Sequence, residues 1–522
     1  MFKRIFQLFK IARKLASSGA VETINEIYNI PFIIKLFFDL MSLGSQKNLL
    51  LNSKKPGEKL CDALEGMGTT FIKLGQFLAT RPDIIGEQLA NDLAKLQDKL
   101  PAFNTSLSKE IIKREIGEKQ FNRITNLSDP IAAASIAQVH TAKIKINDEE
   151  KEVAIKILRP NIEKLFNEEL DALMLLAYIL QSLIKKTKRL KLVEVVQLLR
   201  EITNVEMDLR FEAAAANEFY ENTKKDVGFN VPKIYWNQTS KRTLCLDKIN
   251  GFSIREVENL KSQNINVQKL AKNIIQHFLR HAIRDGFFHA DMHQGNLFVT
   301  KDENIVPVDF GIMGRLDKNN RKYLAEILYG FIKRDYKKVA EVHFLAGLVP
   351  KETSKDEFAL ALRSIGEPIF GQSVKNISGS KLLSQLFEIT EKFNMQTQIQ
   401  LLLLQKTMVV VEGVARKLDS DSNIWNISRP ILEDWLKEVK DPINKVGEAI
   451  TEASEVLKRL PDLPIIMDRA NDVMALIAEG KFNPNSLSYH NLREEELKLE
   501  LIRNKILGGV LVLVIFILLV FK

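Results

Sequence analysis

Apolar residues recur at threes and fours along most of this chain and alternate at period two in a few stretches. The pattern predicts a mainly helical protein with a small sheet. Met1 to Leu15 sets Phe2, Phe6 and Phe9 near one another, with Lys3, Arg4, Lys10 and Lys14 over the other side. This is a basic amphipathic helix that lies in a membrane interface or packs on the domain. Pro31 to Leu43 is more apolar, but Lys35 and Asp39 in its middle favour a packed or surface-lying helix over a span. Leu60, Leu64, Met67, Phe71, Leu74 and Leu78 stripe one helix over Glu58 to Thr80, and Glu87 to Leu100 follows as another. After Phe121 the period changes. Ile131 to Ile146 and Lys151 to Leu158 read as strands joined at the polar turn Asn147 to Glu150, with Val231 to Trp236 and Arg242 to Ile249 as two more. Long helices are expected over Asn161 to Lys186, Leu192 to Thr223 and Val267 to Asp285. Asn250-Gly251 breaks the pattern as a hinge between lobes would. Leu297 to Val299 and Ile305 to Val308 make a short hairpin about Lys301 to Asn304, and from Gly311 to about Glu479 nearly everything is helical.

The end of the chain has a different character. Gly480 to Tyr489 reads as a linker, Arg493 to Lys505 as a charged helix, and Ile506 to Phe521 carries no charge or strongly polar group. As a helix that last stretch covers roughly 24 Å, against a hydrocarbon core of about 30 Å. Flanking Arg503, Lys505 and Lys522 can snorkel, so a single C-terminal anchor is expected. No cleavable signal peptide is visible.

Composition bounds the rest. With 522 residues, 45% of them apolar and 27% charged, two or more globular domains are expected. Two cysteines, Cys61 and Cys245, fit a reducing compartment. The net charge of +9 gathers near the N-terminus and in Lys185 to Lys191 without interleaved aromatics, which fits an anionic membrane surface and excludes a nucleic-acid groove. No flavin fingerprint or iron-ligand cluster is present, which argues against redox chemistry.

Candidate chemistry concentrates in Gly286 to Gly311, GFFHADMHQGNLFVTKDENIVPVDFG. The short hairpin should make Asn296 and Asp309 spatial neighbours, an amide and a carboxylate that suit magnesium with room for phosphate oxygens. Asp291, five residues before Asn296, has the spacing of a kinase catalytic loop, and Asp309-Phe310-Gly311 is a literal D-F-G. Upstream, Val153-Ala154-Ile155-Lys156 buries a lysine in an apolar strand, which is costly unless a phosphate or carboxylate meets it. Glu212 is the obvious partner, although Asp208 and Glu212 are like charges at i, i+4. The loop Ala132-Ala133-Ala134-Ser135 leads into the first strand. Lys73 and Gln76, flanking Gly75, read on their own as a solvated polar face.

Together and in this order, these residues resemble the UbiB (AarF-type) family of atypical protein-kinase-like proteins, linked to ubiquinone biosynthesis. The likeness covers roughly Leu50 to Lys437. It rests on Lys73-Leu74-Gly75-Gln76, Ala132 to His140, Val153 to Lys156, Glu206-x-Asp208, Glu212, His289 to Asn296 and Asp309 to Gly311. It implies an α+β, protein-kinase-like two-lobed fold with a small antiparallel-sheet N-lobe, a helical C-lobe, an N-terminal helical extension and a C-terminal transmembrane helix. The parts fall at 1–45 (basic helices), 46–120 (extension), 121–250 (N-lobe), 251–480 (C-lobe), 481–505 (linker and charged helix) and 506–521 (anchor).

By the same likeness Lys156 holds ATP phosphates and pairs with Glu212, Asn296 and Asp309 bind Mg2+, and Asp291 takes the catalytic position. The loop Ala132 to Ser135 replaces the kinase glycine-rich loop, and each Cβ limits how closely backbone N–H groups cradle phosphates. Lys73 and Gln76 would sit on an extension occupying the groove where kinases admit protein, with Glu206 and Asp208 holding it near the active site. Two features depart from the kinase or family pattern: His289-Ala290-Asp291 lacks the arginine of H-R-D, and one apolar C-terminal segment stands where many members carry two.

The expected function is therefore a Mg-ATP-dependent ATPase or atypical kinase that supports ubiquinone synthesis by acting on access to lipid-like quinone precursors. It would sit on a bacterial inner membrane with its catalytic domain cytoplasmic. Membrane lipids, quinone precursors and ubiquinone-biosynthesis enzymes are the implied partners. A small-molecule or lipid kinase, and a non-catalytic nucleotide-dependent lipid-binding scaffold, are the alternatives.

Overall fold

Alternation along Val153–Leu158 places Val153, Ile155 and Ile157 inward and Ala154 and Lys156 on the other face. This strand is central to a five-stranded antiparallel sheet in the computed structural model. The structure describes residues 2–18, 20–21, 25, 32–41, 55–79, 81, 85–96, 101–147, 149–183, 191–371, 385, 388–390, 392–395 and 399–440. The strands are β1 (Ile124–Thr125), β2 (Ala132–Ala133), β3 (Ala137–Ile146), β4 (Glu149–Leu158) and β5 (Thr243–Asp247), ordered β1-β3-β4-β5 with β2 beside β3. Asn147, at φ 48°, takes the left-handed position of the β3–β4 turn, where asparagine is favoured.

Register decides which side chains face the site. His140 pairs with Ile155 and Gln138 with Ile157, so both polar groups lie on the inward face. A helix over Thr105–Ile116, unread in the sequence, covers that face with Ile111 and Ile112. Polar contacts tie it to β3. Gln138 Nε2 donates to Ser108 Oγ at 3.0 Å and to the Phe103 carbonyl at 3.1 Å, and His140 lies 2.9 Å from Ser108. Gln138 and His140 therefore anchor this helix. Val139 and Leu244, paired with Lys156, line the opposite face with it.

Two smaller sheets follow: β6 (Gly251–Ser253), β8 (Leu297–Thr300) and β9 (Ile305–Pro307) in order β6-β8-β9, and β7 (Phe287–His289) with β10 (Met313–Arg315). Helices over Val267–Arg280, Lys318–Lys333, Tyr336–Leu345, Lys355–Gly371, Ile399–Leu418 and Ile424–Lys440 account for most of the rest. The chain divides into two compact units, Met1–Met174 with Glu194–Leu436, and Leu175–Val193 with Lys437–Lys522. The candidate site lies wholly in the first. In the second, the Val193 amide donates to Gln181 Oε1 at 3.2 Å.

Several elements differ from the sequence expectation, each for a local reason. The helix expected over Glu58 to Thr80 is two, Pro56–Met67 and Thr69–Ala79, broken where Gly68 adopts φ 100°. Leu192 to Thr223 is also two, Leu192–Glu206 and Leu209–Thr223, because Asp208 leaves the helical conformation to cap the second. Ile131 to Ile146 folds back on itself, with Ala132 opposite Val139 and Ala133 opposite Gln138. Val231 to Trp236 makes only a bridge, Ile234 to Leu246, since Pro232 cannot donate to a ladder. Among the described residues no helix is long and apolar enough to cross a membrane. The expected anchor, Ile506 to Phe521, its linker and its charged helix lie outside the described residues.

The N-terminal helix Phe2–Ser17 is tied to the extension through Lys14. Its ammonium donates to the Met67 carbonyl at the end of the Pro56–Met67 helix, lies 3.6 Å from Glu169 and sits over the Phe71 ring at 5.7 Å. Gly75 lets the Thr69–Ala79 helix approach closely, since a Cβ there would fall 2.3 Å from Leu96 Cδ1 and 2.8 Å from Leu64 Cδ1.

Candidate active site

Lys156 enters the cleft from β4 with its ammonium 2.9 Å from both carboxylate oxygens of Glu212, one turn into the Leu209–Thr223 helix, and 3.1 Å from Asp309 Oδ1. Burial alone would lower the lysine pKa, but Asp309 and Glu212 outweigh it and hold the ammonium charged. Lys156 in turn keeps the Asp309 carboxyl well below the usual carboxylate range. Burial pushes Glu212 up to about 7, against Lys156, with Asp309 adding repulsion.

The hairpin β8–β9 brings the remaining groups together. The Val308 amide donates to the Asn296 carbonyl at 2.8 Å, which sets Asn296 beside the backbone that leads into Asp309. Asp309 itself has φ 64°, and its side chain is half exposed. Asn296 Nδ2 donates to the Asp291 carbonyl at 3.1 Å and to Asp291 Oδ2 at 3.0 Å, turning its own Oδ1 away from Asp291. Asp309 and Asn296 thus offer one charged and one neutral oxygen donor, a set that fits a magnesium ion sharing phosphate oxygens and water.

His289, fully buried, joins the two loops. Nε2 donates to the Val308 carbonyl at 3.1 Å, and Nδ1 accepts from the Asp291 amide at 3.2 Å, so the ring is the neutral Nε2–H tautomer, as burial favours. Phe310 packs on it at 5.6 Å and on Phe219 of the Leu209–Thr223 helix at 6.3 Å. The Glu212 helix and the Asp309 loop are therefore held by one apolar column.

Ala132 lies on the Lys156 face of the sheet, while Ser135 is fully buried. The bend after Ala133 is clamped by Arg159, whose Nε and Nη2 donate to the Ala134 carbonyl at 3.0 and 2.8 Å. Lys73 pairs with Glu206 at 2.9 Å, both largely buried, and its charge also acts on Asp309. Of the two acidic groups expected to hold the extension, Glu206 meets it. Asp208 instead accepts from the Arg210 amide, Nε and Nη2 at 3.1, 2.9 and 2.6 Å. Gln76 is half-buried one turn beyond Lys73.

Sequence reasoning missed the Ile399–Leu418 helix as part of this site. Thr407 Oγ1 shares its proton between the Leu403 carbonyl at 2.7 Å and the Ala290 carbonyl at 3.0 Å, and Lys417 Nζ donates to Gln294 Oε1 at 2.8 Å, so the helix holds this loop at Ala290 and at Gln294. The signal was Gln405-Lys406-Thr407 interrupting an apolar run.

A second titratable cluster, Asp226, His277 and His281, brings ligand atoms within 4.8 Å of one another. Its carboxylate is already taken, by Arg284 Nη1 and Nη2 at 2.7 and 3.0 Å and by His281 Nε2 at 3.0 Å. A guanidinium there repels a metal cation, so the cluster is a structural polar knot. Burial pushes His277 down to about 3 from an ordinary 6.5. In acid the unfolded chain takes up a proton that the folded one refuses. Stability should therefore fall, by up to about 1.4 kcal/mol per pH unit below 6.5. Urea unfolding at pH 7 and pH 5 measures this, and His277→Gln should flatten the slope.

Residues 95–343 match the ABC1 atypical kinase-like domain, and residues 362–423 match the UbiB helical domain. The "Probable protein kinase UbiB" of Marinobacter nauticus is 36% identical over 474 residues, 90% of this chain and 85% of the relative. This chain belongs to the UbiB family. The Histophilus somni protein of the same name is 38% identical over 472 residues, 88% of this chain and 85% of its own. Among solved structures, the Rv3197–erythromycin complex from Mycobacterium tuberculosis aligns at TM-score 0.49 and 22% identity, over 68% of this chain and 90% of that one. The match to the kinase-like domain spans the sheet, the Lys156–Glu212 pair and the loops that carry Asp291, Asn296 and Asp309. The match to the UbiB helical domain contains Thr407 and Lys417, so the helix that holds the Asp291–Asn296 loop comes from the family's second domain.

Proposed function

We propose that this UbiB-family chain binds ATP with magnesium and turns it over at a membrane, supporting ubiquinone synthesis by acting on access to lipid-like quinone precursors. The observation that carries the reading is the Lys156–Glu212–Asp309 cluster beside Asn296 and Asp291. A paired lysine, two oxygen donors and a carboxylate together suit phosphoryl transfer. Lys73 supports a choice of acceptor. Its pairing with Glu206, and its electrostatic effect on Asp309, support an extension helix lying at the reacting end of the cleft, where a protein substrate would need room. Hydrolysis, or transfer to something small or lipid-like, is therefore favoured over phosphorylation of proteins. The basic first helix and the apolar Ile506 to Phe521 support a location at an anionic inner-membrane surface.

The test is ATP turnover by the full chain in anionic liposomes, with and without quinone precursors, against Asp309→Asn. Stimulation that requires both lipid and precursor supports the reading. Labelled phosphate appearing on the precursor would make the chain a lipid kinase instead. Lys73→Ala should keep Mg-ATP affinity within about threefold while changing turnover by about tenfold or more, since its charge acts at the reacting end. Wild-type turnover in that variant removes the extension from the mechanism.

A further inference from the structure

Phosphoryl transfer spreads negative charge over the terminal phosphate oxygens, and a site that performs it needs a cation directed there. The loop Ala290 to Asn296 contains no lysine or arginine; His293 lies 3.5 Å from Asp291 Oδ2, and the exposed Arg255 has its Nη2 against Gly295. Lys156 is committed to Glu212 and Asp309, and Lys73 is paired with Glu206.

Lys406 stands in a different position. It precedes Thr407, whose hydroxyl holds the carbonyl of Ala290, the residue before Asp291. It is half-buried, and among the described residues its ammonium makes no hydrogen bond or ion pair within 4 Å. Burial lowers its pKa, and Asp291 is the charge that opposes the shift. An ammonium embedded in the apolar run Leu401 to Val411 is costly unless an anion meets it.

We propose that Lys406 contacts the terminal phosphate of a nucleoside triphosphate bound beside Asp291, so that the UbiB helical domain supplies a phosphate-binding cation to the kinase-like domain. This rests on the Mg-ATP reading above. It assigns Lys406 to the third phosphate alone, so its loss should discriminate between nucleotides. The experiment compares Mg-ATP and Mg-ADP affinities of the full chain for wild type, Lys406→Met and Lys406→Arg, with thermal unfolding of each. Lys406→Met should lose about tenfold or more in ATP affinity while ADP affinity holds within about twofold, and Lys406→Arg should recover most of the loss. Equal loss for both nucleotides, or no loss, overturns the assignment and leaves nucleotide binding standing. Failure of the wild type to bind either nucleotide takes down the reading beneath it and the assignment together.

Discussion

Asp309→Asn should weaken magnesium-dependent ATP binding by about a hundredfold or more. Loss of residues that only orient a metal ligand commonly costs about 10–100-fold, and Asp309 would be a ligand itself. The substitution keeps the size of the side chain but removes the anionic member of the proposed ligand pair. The surrounding structure has reason to survive, because Lys156 still holds both oxygens of Glu212 at 2.9 Å and the Asp309 side chain is half exposed. With one negative charge fewer nearby, Glu212 also ionises more readily than it does beside Asp309. Titration calorimetry with Mg-ATP measures the effect, and EDTA should reproduce it in the wild type. A Mg-ATP thermal shift unchanged from wild type would sink the metal assignment.

Asp291→Asn should separate chemistry from binding. A positioned general base contributes about 10²–10⁴-fold, so kcat should fall within that range while Mg-ATP affinity stays within a few-fold. Asparagine retains an oxygen for the 3.0 Å contact from Asn296 Nδ2, and the Asn296 bond to the backbone carbonyl of residue 291 is untouched. Asn296 should thus keep its orientation. Single-turnover measurements decide the matter, and near-wild-type turnover would remove Asp291 from proton transfer.

The parts of the site most legible in the sequence were those whose cost is local. A lysine inside an apolar strand demands a partner, and the structure supplies Glu212 and Asp309. A four-residue turn between two short apolar runs forces Asn296 and the Asp309 backbone together. Positions fixed by longer-range or single-residue effects were not legible. Gly68 and Asp208 each break a continuous apolar stripe, because periodicity reports which face is buried and is blind to one residue leaving helical φ/ψ. Gln138 and His140 look like site residues beside the alanine loop, yet pairing register turns both onto the helix Thr105–Ile116. Thr407 sits over a hundred residues beyond the loop it holds, so no spacing rule reaches it.

Lys14 carries a practical consequence for handling the protein. The same ammonium caps the Pro56–Met67 helix and rests over Phe71, two residues before Lys73. An expression plasmid that trims the first 45 residues to improve yield would therefore also strip the support beneath the Thr69–Ala79 helix. Properties measured on such a shortened product would describe a different molecule, one with its Lys73-bearing helix loosened.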